Sequence, residues 1–257
     1  MRDLNRLAIA SSIALVATFS VNSIELKASE KITVSGHNLF QPFCWKKGDK
    51  LVGIGPRLFK QVIKDLKKDF AAQFLPWKRA QIMARKGKVD VLLSLFKTSE
   101  REKFLSFSEK FSETNLIVFT RRDFKRQITS WEDLSSYRGV AIRGASSGKM
   151  DQFFTEKYNL SRVENTFQML KMVQLKRADF ATSSKYAAVI ETKKRGLDSV
   201  IQIHESPKSA QSIYLAISKK SWFIEYLPQV NHLIRKYKGN GVLDRIIRES
   251  IQEAVSH

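Results

Sequence analysis

GKVDVLLSLFKTSEREKFLSFS, residues 87–108, carries an apolar run from Val89 to Leu95 that only Asp90 and Ser94 interrupt. Aliphatic side chains on both parities are the pattern of a strand covered on both faces, as in a parallel sheet. Gly87 stops the segment before it, where Ala80, Met83 and Ala84 recur at helical spacing and predict a helix over 78–86. After the run comes a Thr98-Ser99 turn, and then Arg101. Helix, glycine stop, buried strand and polar turn in succession indicate α/β architecture. An arginine that follows directly on a buried strand is aimed by rigid structure. Its guanidinium presents a fork of donors that matches a carboxylate in bidentate fashion.

The same alternation extends in both directions. Upstream, KITVS at 31–35 is a β-branched strand, and Phe40 to Trp45 (FQPFCW) reads as an aromatic loop closed by a Gly48-Asp49 turn. Leu58, Phe59, Val62, Ile63, Leu66 and Phe70 predict an amphipathic helix over 56–70 with Pro56 at its start, and 72–75 a short strand. Downstream, strands are expected at 115–120 (NLIVFT), 139–143, 178–182, 200–203 and 212–217 (SIYLAI). Helices are expected at 149–157, 167–175, 184–195, 222–236 and 243–254, with a helix start at Ser130 to Leu134. Two α/β blocks result, with the end of the chain returning to the first. No internal repeat or low-complexity tract appears.

Composition bounds the function. The 257 residues are 43% hydrophobic, which excludes a disordered polycation because apolar burial can offset the ordering entropy. One cysteine, Cys44, excludes an intramolecular disulfide framework and a multi-cysteine zinc site. Lys and Arg number 45 against 25 Asp and Glu, a net charge of +20. That balance suits nucleic acid, an anionic membrane or wall surface, or an acidic ligand.

Residues 1–28 read as a secretory signal peptide. Arg2 and Arg6 precede an uncharged run from Leu7 to Val21, and Leu26-Lys27-Ala28 offers a cleavage site. The run is short for a membrane span; an uncleaved N-terminal anchor is the competing reading. Export to the periplasm or another extracytoplasmic space weighs against nucleic acid as a partner.

Several further segments carry a resemblance. Phe40-Gln41-Pro42-Phe43 is followed by Gly53-Ile54-Gly55. Gly87-Lys88-Val89-Asp90 leads through the buried strand to Thr98-Ser99-Glu100-Arg101 and Phe107-Ser108. Arg138-Gly139-Val140-Ala141-Ile142 leads to Gly144-Ala145-Ser146-Ser147-Gly148, and Tyr214 to Lys220 precedes a terminal segment at Gly239 to Asp244. In this order they resemble the family 3 extracytoplasmic solute-binding proteins of polar amino-acid ABC transporters. The resemblance implies a two-lobed, periplasmic-binding-protein-like (type II) α/β fold with two crossing hinge strands. Lobe one would be 29–119 plus 216–257 and lobe two 122–212, with no cofactor, no catalysis and a monomeric state. A small anionic or amino-acid-like ligand would bind between the lobes, which close by hinge motion for delivery to an ABC permease.

The resemblance places the matching arginine, Arg101, on the ligand carboxylate, and Phe40 where a stacking aromatic stands. Trp77 precedes a helix and would line the cleft; core packing is its other reading. Ser146 and Ser147 sit in a small-residue turn whose backbone N–H groups would form an anion corner, or would simply cap a helix. Two positions depart from the pattern. Phe96 stands where amino-acid binders carry a hydroxyl, and Ser184 where they carry a carboxylate for the ammonium group. A buried ammonium without acceptors is costly. The ligand is therefore expected to be a carboxylate or other anion, or an amine held by hydroxyls and carbonyls alone.

Two other classes remain beside this one. A cleft enzyme of dehydratase type would need a general acid or base, and among His37, His204, His232 and His257 only His37 lies near Phe40 in sequence. A ligand-sensing or anionic-surface-binding module would use the basic runs at Lys64 to Lys68 and Lys193 to Arg195, which read as solvated helix faces.

Overall fold

The computed structural model of the chain describes residues 31–143 and 160–256. Two long strands organise it: β8 (Ser112–Arg121) and β12 (Ile201–Ser218), antiparallel to each other. On one side of them lie β6 (Val91–Phe96), β1 (Ile32–Gly36) and β5 (Phe70–Ala72), parallel to one another, with β6 antiparallel to β12. On the other side lie β11 (Phe180–Ser184), β9 (Gly139–Ile142) and β10 (Leu160–Val163), again mutually parallel, with β11 antiparallel to β8. A short strand β7 (Leu105–Phe107) pairs with the end of β12. β8 and β12 thus form the middle of the sheet, with a set of three parallel strands on either side.

Each half has its own core. In the first, α1 (Ile54–Asp65), α6 (Leu227–Gly239) and α7 (Val242–Val255) cover β1 and β6. Leu58, Phe59, Val62 and Ile63 of α1 are buried there, the face their spacing predicts; each buried side chain contributes about 1.5–3 kcal/mol. In the second, Met169, Leu170 and Val173 of α4 (Thr166–Gln174) and Ala188 of α5 (Lys185–Lys194) pack on Ile117, Phe119 and Val140.

Two carboxylates tie strands together. Asp90 accepts the backbone N–H of Thr33 and the hydroxyl of Ser221. Asp179 accepts the backbone N–H and the guanidinium of Arg138, which holds its carboxyl below the usual range.

Several elements differ from the sequence reading. The first helix ends at Asp65, and Phe70 belongs to β5, its ring 5.5 Å from that of Phe59. Lys67 takes a left-handed conformation (φ 52°), and Lys68 N–H donates to Ile63 O while Lys67 N–H donates to Lys64 O. This is a Schellman closure without the glycine that usually marks one. The aromatic loop is a small antiparallel sheet of β2 (Leu39–Phe40), β3 (Cys44–Lys47) and β4 (Lys50–Val52). The strands expected at 200–203 and 212–217 are one, β12, with a register shift between His204 and Ser209. The expected helix at 149–157 lies outside the described residues.

Candidate functional site

A cleft between the two halves lies at the carboxyl ends of β6, β9 and β11, where parallel α/β sheets place their ligands. It holds about 760 Å³, part of it open to solvent. One wall comes from His37, Phe40, Trp77, Ser94, Phe96 and Arg101, and the other from Ile142, Thr166, Thr182, Ser183, Ser184 and Ala187.

Arg101 lies in the single-turn helix α3 (Ser99–Glu102), whose N-cap Thr98 accepts the Arg101 backbone N–H at 3.2 Å. Its side chain is 3% exposed. Nη1 donates to Phe96 O at 2.7 Å and Nε to Gln81 Oε1 at 3.2 Å, while the guanidinium stands 5.6 Å from the Trp77 ring. Chain, amide and aromatic face thus fix the orientation of the charge. Trp77 is the first residue of α2 (Trp77–Arg85), and Gln81 lies one turn further along the same helix.

Phe40 packs its ring 4.8 Å from Phe43 and edge-on to Phe96 at 5.7 Å. Phe43 itself is fully buried in the first core and Trp45 is 4% exposed. His37 stands between Trp77 (5.6 Å) and Phe40 (6.0 Å). Its Nδ1 accepts the Leu39 backbone N–H at 3.1 Å, so the neutral ring carries its hydrogen on Nε2. Burial, and then the Arg101 charge, push its pKa down to about 4.

Ser184 ends β11 and caps α5, accepting the Ala187 N–H at 3.3 Å. Thr182, Ser183 and Ser184 make a hydroxyl-rich strand end, each 8% exposed or less. Ser94 is left-handed (φ 59°) and donates to Phe43 O at 2.8 Å. Among the described residues that line the cleft there is no carboxylate.

Of the residues singled out in the sequence, Phe40, Trp77, Arg101 and Ser184 come together in this one cleft. Ser146 and Ser147 lie outside the described residues. Gln81, Ser94, Thr166, Thr182 and Ser183 were missed. The polar break in an apolar run at Ser94 and the Thr-Ser-Ser end of a strand ahead of a helix are the signals that mark three of them.

The model of the bacterial extracellular solute-binding proteins, family 3, matches residues 32–253. The chain belongs to this family. Among the described residues of this family 3 protein, no helix is long and apolar enough to cross a membrane. The chain is similar to the L-cystine-binding protein TcyA of Bacillus subtilis (strain 168), 27% identical over 244 residues, 90% of this chain and 85% of the relative. Its fold is shared with the substrate binding protein of an amino acid ABC transporter, with TM-score 0.71 and 19% identity over 86% of this chain and 99% of that one. It is shared equally with a histidine kinase sensor domain similar to periplasmic binding proteins, with TM-score 0.75 and 16% identity over 86% and 95%. At these identities the likeness establishes architecture, and function rests on the cleft.

Proposed function

We propose that this family 3 protein captures a small carboxylate-bearing or amino-acid-like solute between its lobes, closes over it by hinge motion about β8 and β12, and presents it to an ABC importer. The observation that carries this reading is the Arg101 guanidinium, 3% exposed and oriented by Phe96 O, Gln81 and Trp77 on the wall of a cleft lined from both lobes. A fixed guanidinium in low-dielectric surroundings recognises a carboxylate strongly. Phe40 and Trp77 supply apolar walls, and Ser183 and Ser184 supply hydroxyls from the opposite lobe. An amine on the ligand would be met by these hydroxyls and by backbone carbonyls. The amino-acid ligands of TcyA and of the transporter protein support the solute class. A ligand that touches both walls favours the closed state over the open one.

The cleft is a binding site with no catalytic step in this reading. The matching experiment is a thermal-shift and small-angle scattering panel of L-amino acids and plain carboxylates on the wild type. The expected result is stabilisation and a smaller radius of gyration with a carboxylate-bearing compound. Stabilisation only by cationic or neutral compounds without a carboxylate would overturn the reading.

A further inference from the structure

A second groove opens beside the cleft and shares Leu39 and Thr166 with it, so the two spaces adjoin at these residues. It holds about 910 Å³ including open solvent. Exposed cations stand on both of its walls: Lys46 and Lys47 of β3 on one side, Lys194 and Arg195 at the end of α5 on the other. Lys47 pairs with Glu253 at 2.9 Å and Arg195 with Glu191 at 2.8 Å. Lys46, set 5.0 Å from the Phe74 ring, and Lys194 have no ion pair among the described residues. Like charges facing each other across a gap oppose its closure until an anion lies between them.

The floor of the groove is the N-terminus of α4, a nine-residue helix with no acidic residue in its first turn. Asn165 caps it by accepting the Gln168 N–H at 2.9 Å. The N–H groups of Thr166 and Phe167 have no acceptor within the helix by their position, and this end carries partial positive charge. Independently, Thr166 is 5% exposed and its Oγ1 is buried without a hydrogen-bond partner. It is placed where both spaces meet.

We propose that this groove receives a second anionic group of the captured solute, which is therefore an elongated dianion. One carboxylate sits at Arg101, and the other group, carboxylate or phosphate, sits among Lys46, Lys194, Thr166 and the start of α4. The inference rests on the cleft reading above and names the solute class that the cleft would select.

The experiment is calorimetric titration of the full chain at low salt with matched pairs: butyrate and succinate, hexanoate and adipate, octanoate and suberate, with inorganic phosphate as a separate probe. At least one dicarboxylate is expected to bind about tenfold tighter than its partner, the scale of a charge-assisted hydrogen bond. That preference should shrink with added salt. The exposed double variant Lys46→Gln/Lys194→Gln should lose the preference and keep its monocarboxylate affinity. Thr166→Val should weaken the dicarboxylate more than its monocarboxylate partner. Monocarboxylates that bind as well as dicarboxylates overturn the inference and leave the Arg101 reading standing. A preference retained in the double variant also overturns it. Phosphate that binds the wild type, fails to bind the double variant and does not compete with dicarboxylates makes the groove a free-anion site and overturns the link to the solute. Failure of every carboxylate to bind overturns the cleft reading itself.

Discussion

Arg101 Nη1 donates to the carbonyl oxygen of Phe96, 2.7 Å away and five residues earlier in the chain. At position 96 the resemblance led one to look for a hydroxyl, and its loss removes a side-chain acceptor for an ammonium group. The backbone of the same residue serves a different purpose: it orients the cation. The strand end therefore still shapes the site, through its carbonyl and not its side chain.

Removing the guanidinium should separate binding from folding. Arg101→Ala leaves Phe96 O and Gln81 without their donor, at a cost of about 1–3 kcal/mol of stability. Ligand affinity is expected to fall at least about a hundredfold, as when one partner of a buried charge-assisted pair is removed. Calorimetry on the ligand and a melt of the empty protein check the two effects separately. Undiminished affinity would remove Arg101 from the site.

His37 should make stability depend on pH. Its folded pKa is pushed to about 4, below the ordinary value of about 6.5 that an unfolded chain shows. Between these values the unfolded chain takes up a proton that the folded protein refuses, so stability falls as the pH drops from 6.5 to 4. The effect of His37 alone is about 3 kcal/mol across that window. His204, lowered by burial, acts with the same sign. His37→Asn keeps an acceptor for the Leu39 N–H at the Nδ1 position, and denaturant titrations at each pH should show a flatter profile than the wild type. Parallel profiles would show that His37 titrates normally.

Gly55 is held by contact, not by conformation. A Cβ there would lie 2.0 Å from Ser94 Oγ, the hydroxyl that donates to Phe43 O. Gly55→Ala should displace Ser94 from the cleft wall and destabilise the protein by about 2 kcal/mol, through overpacking and a lost hydrogen bond. A thermal melt within error of the wild type would contradict this.

Lys67 and Gly87 occupy equivalent positions in two helix closures, at φ 52° and 75°. A non-glycine residue there is strained. Lys67 is exposed, so Lys67→Gly should stabilise by about 0.5–1 kcal/mol, while Gly87→Ala should destabilise by about 1 kcal/mol or more. A Cβ at Gly87 would also meet Lys220 Cβ at 2.9 Å. Chemical denaturation of both variants reads the opposite signs.

These closures show how far the fold was legible. At α2 and α5 the turn residues are Gly87 and Gly196, and both helix ends are read within a residue. At α1 the turn residue is Lys67. The amphipathic pattern there runs on through Leu66 to Phe70, because Phe70 also reaches the same core, from a strand. The small sheet from Leu39 to Val52 was read as a loop because its strands are two to four residues long, too short for alternation to register.

The sequence by itself determined the α/β alternation, the buried strand that leads to Arg101, the family resemblance, and Arg101, Phe40, Trp77 and Ser184 as residues to watch. These rest on local periodicity, on glycine and proline positions and on motif order, all of which survive in one dimension. Only the tertiary structure decided that Phe96 acts through its carbonyl, that Asp90 and Asp179 tie strands, that His37 is kept neutral, and that Thr166 and Lys194 meet Lys46 around one groove. Those facts depend on burial and on approaches between segments far apart in the chain, such as Lys46 and Lys194, which no local pattern records.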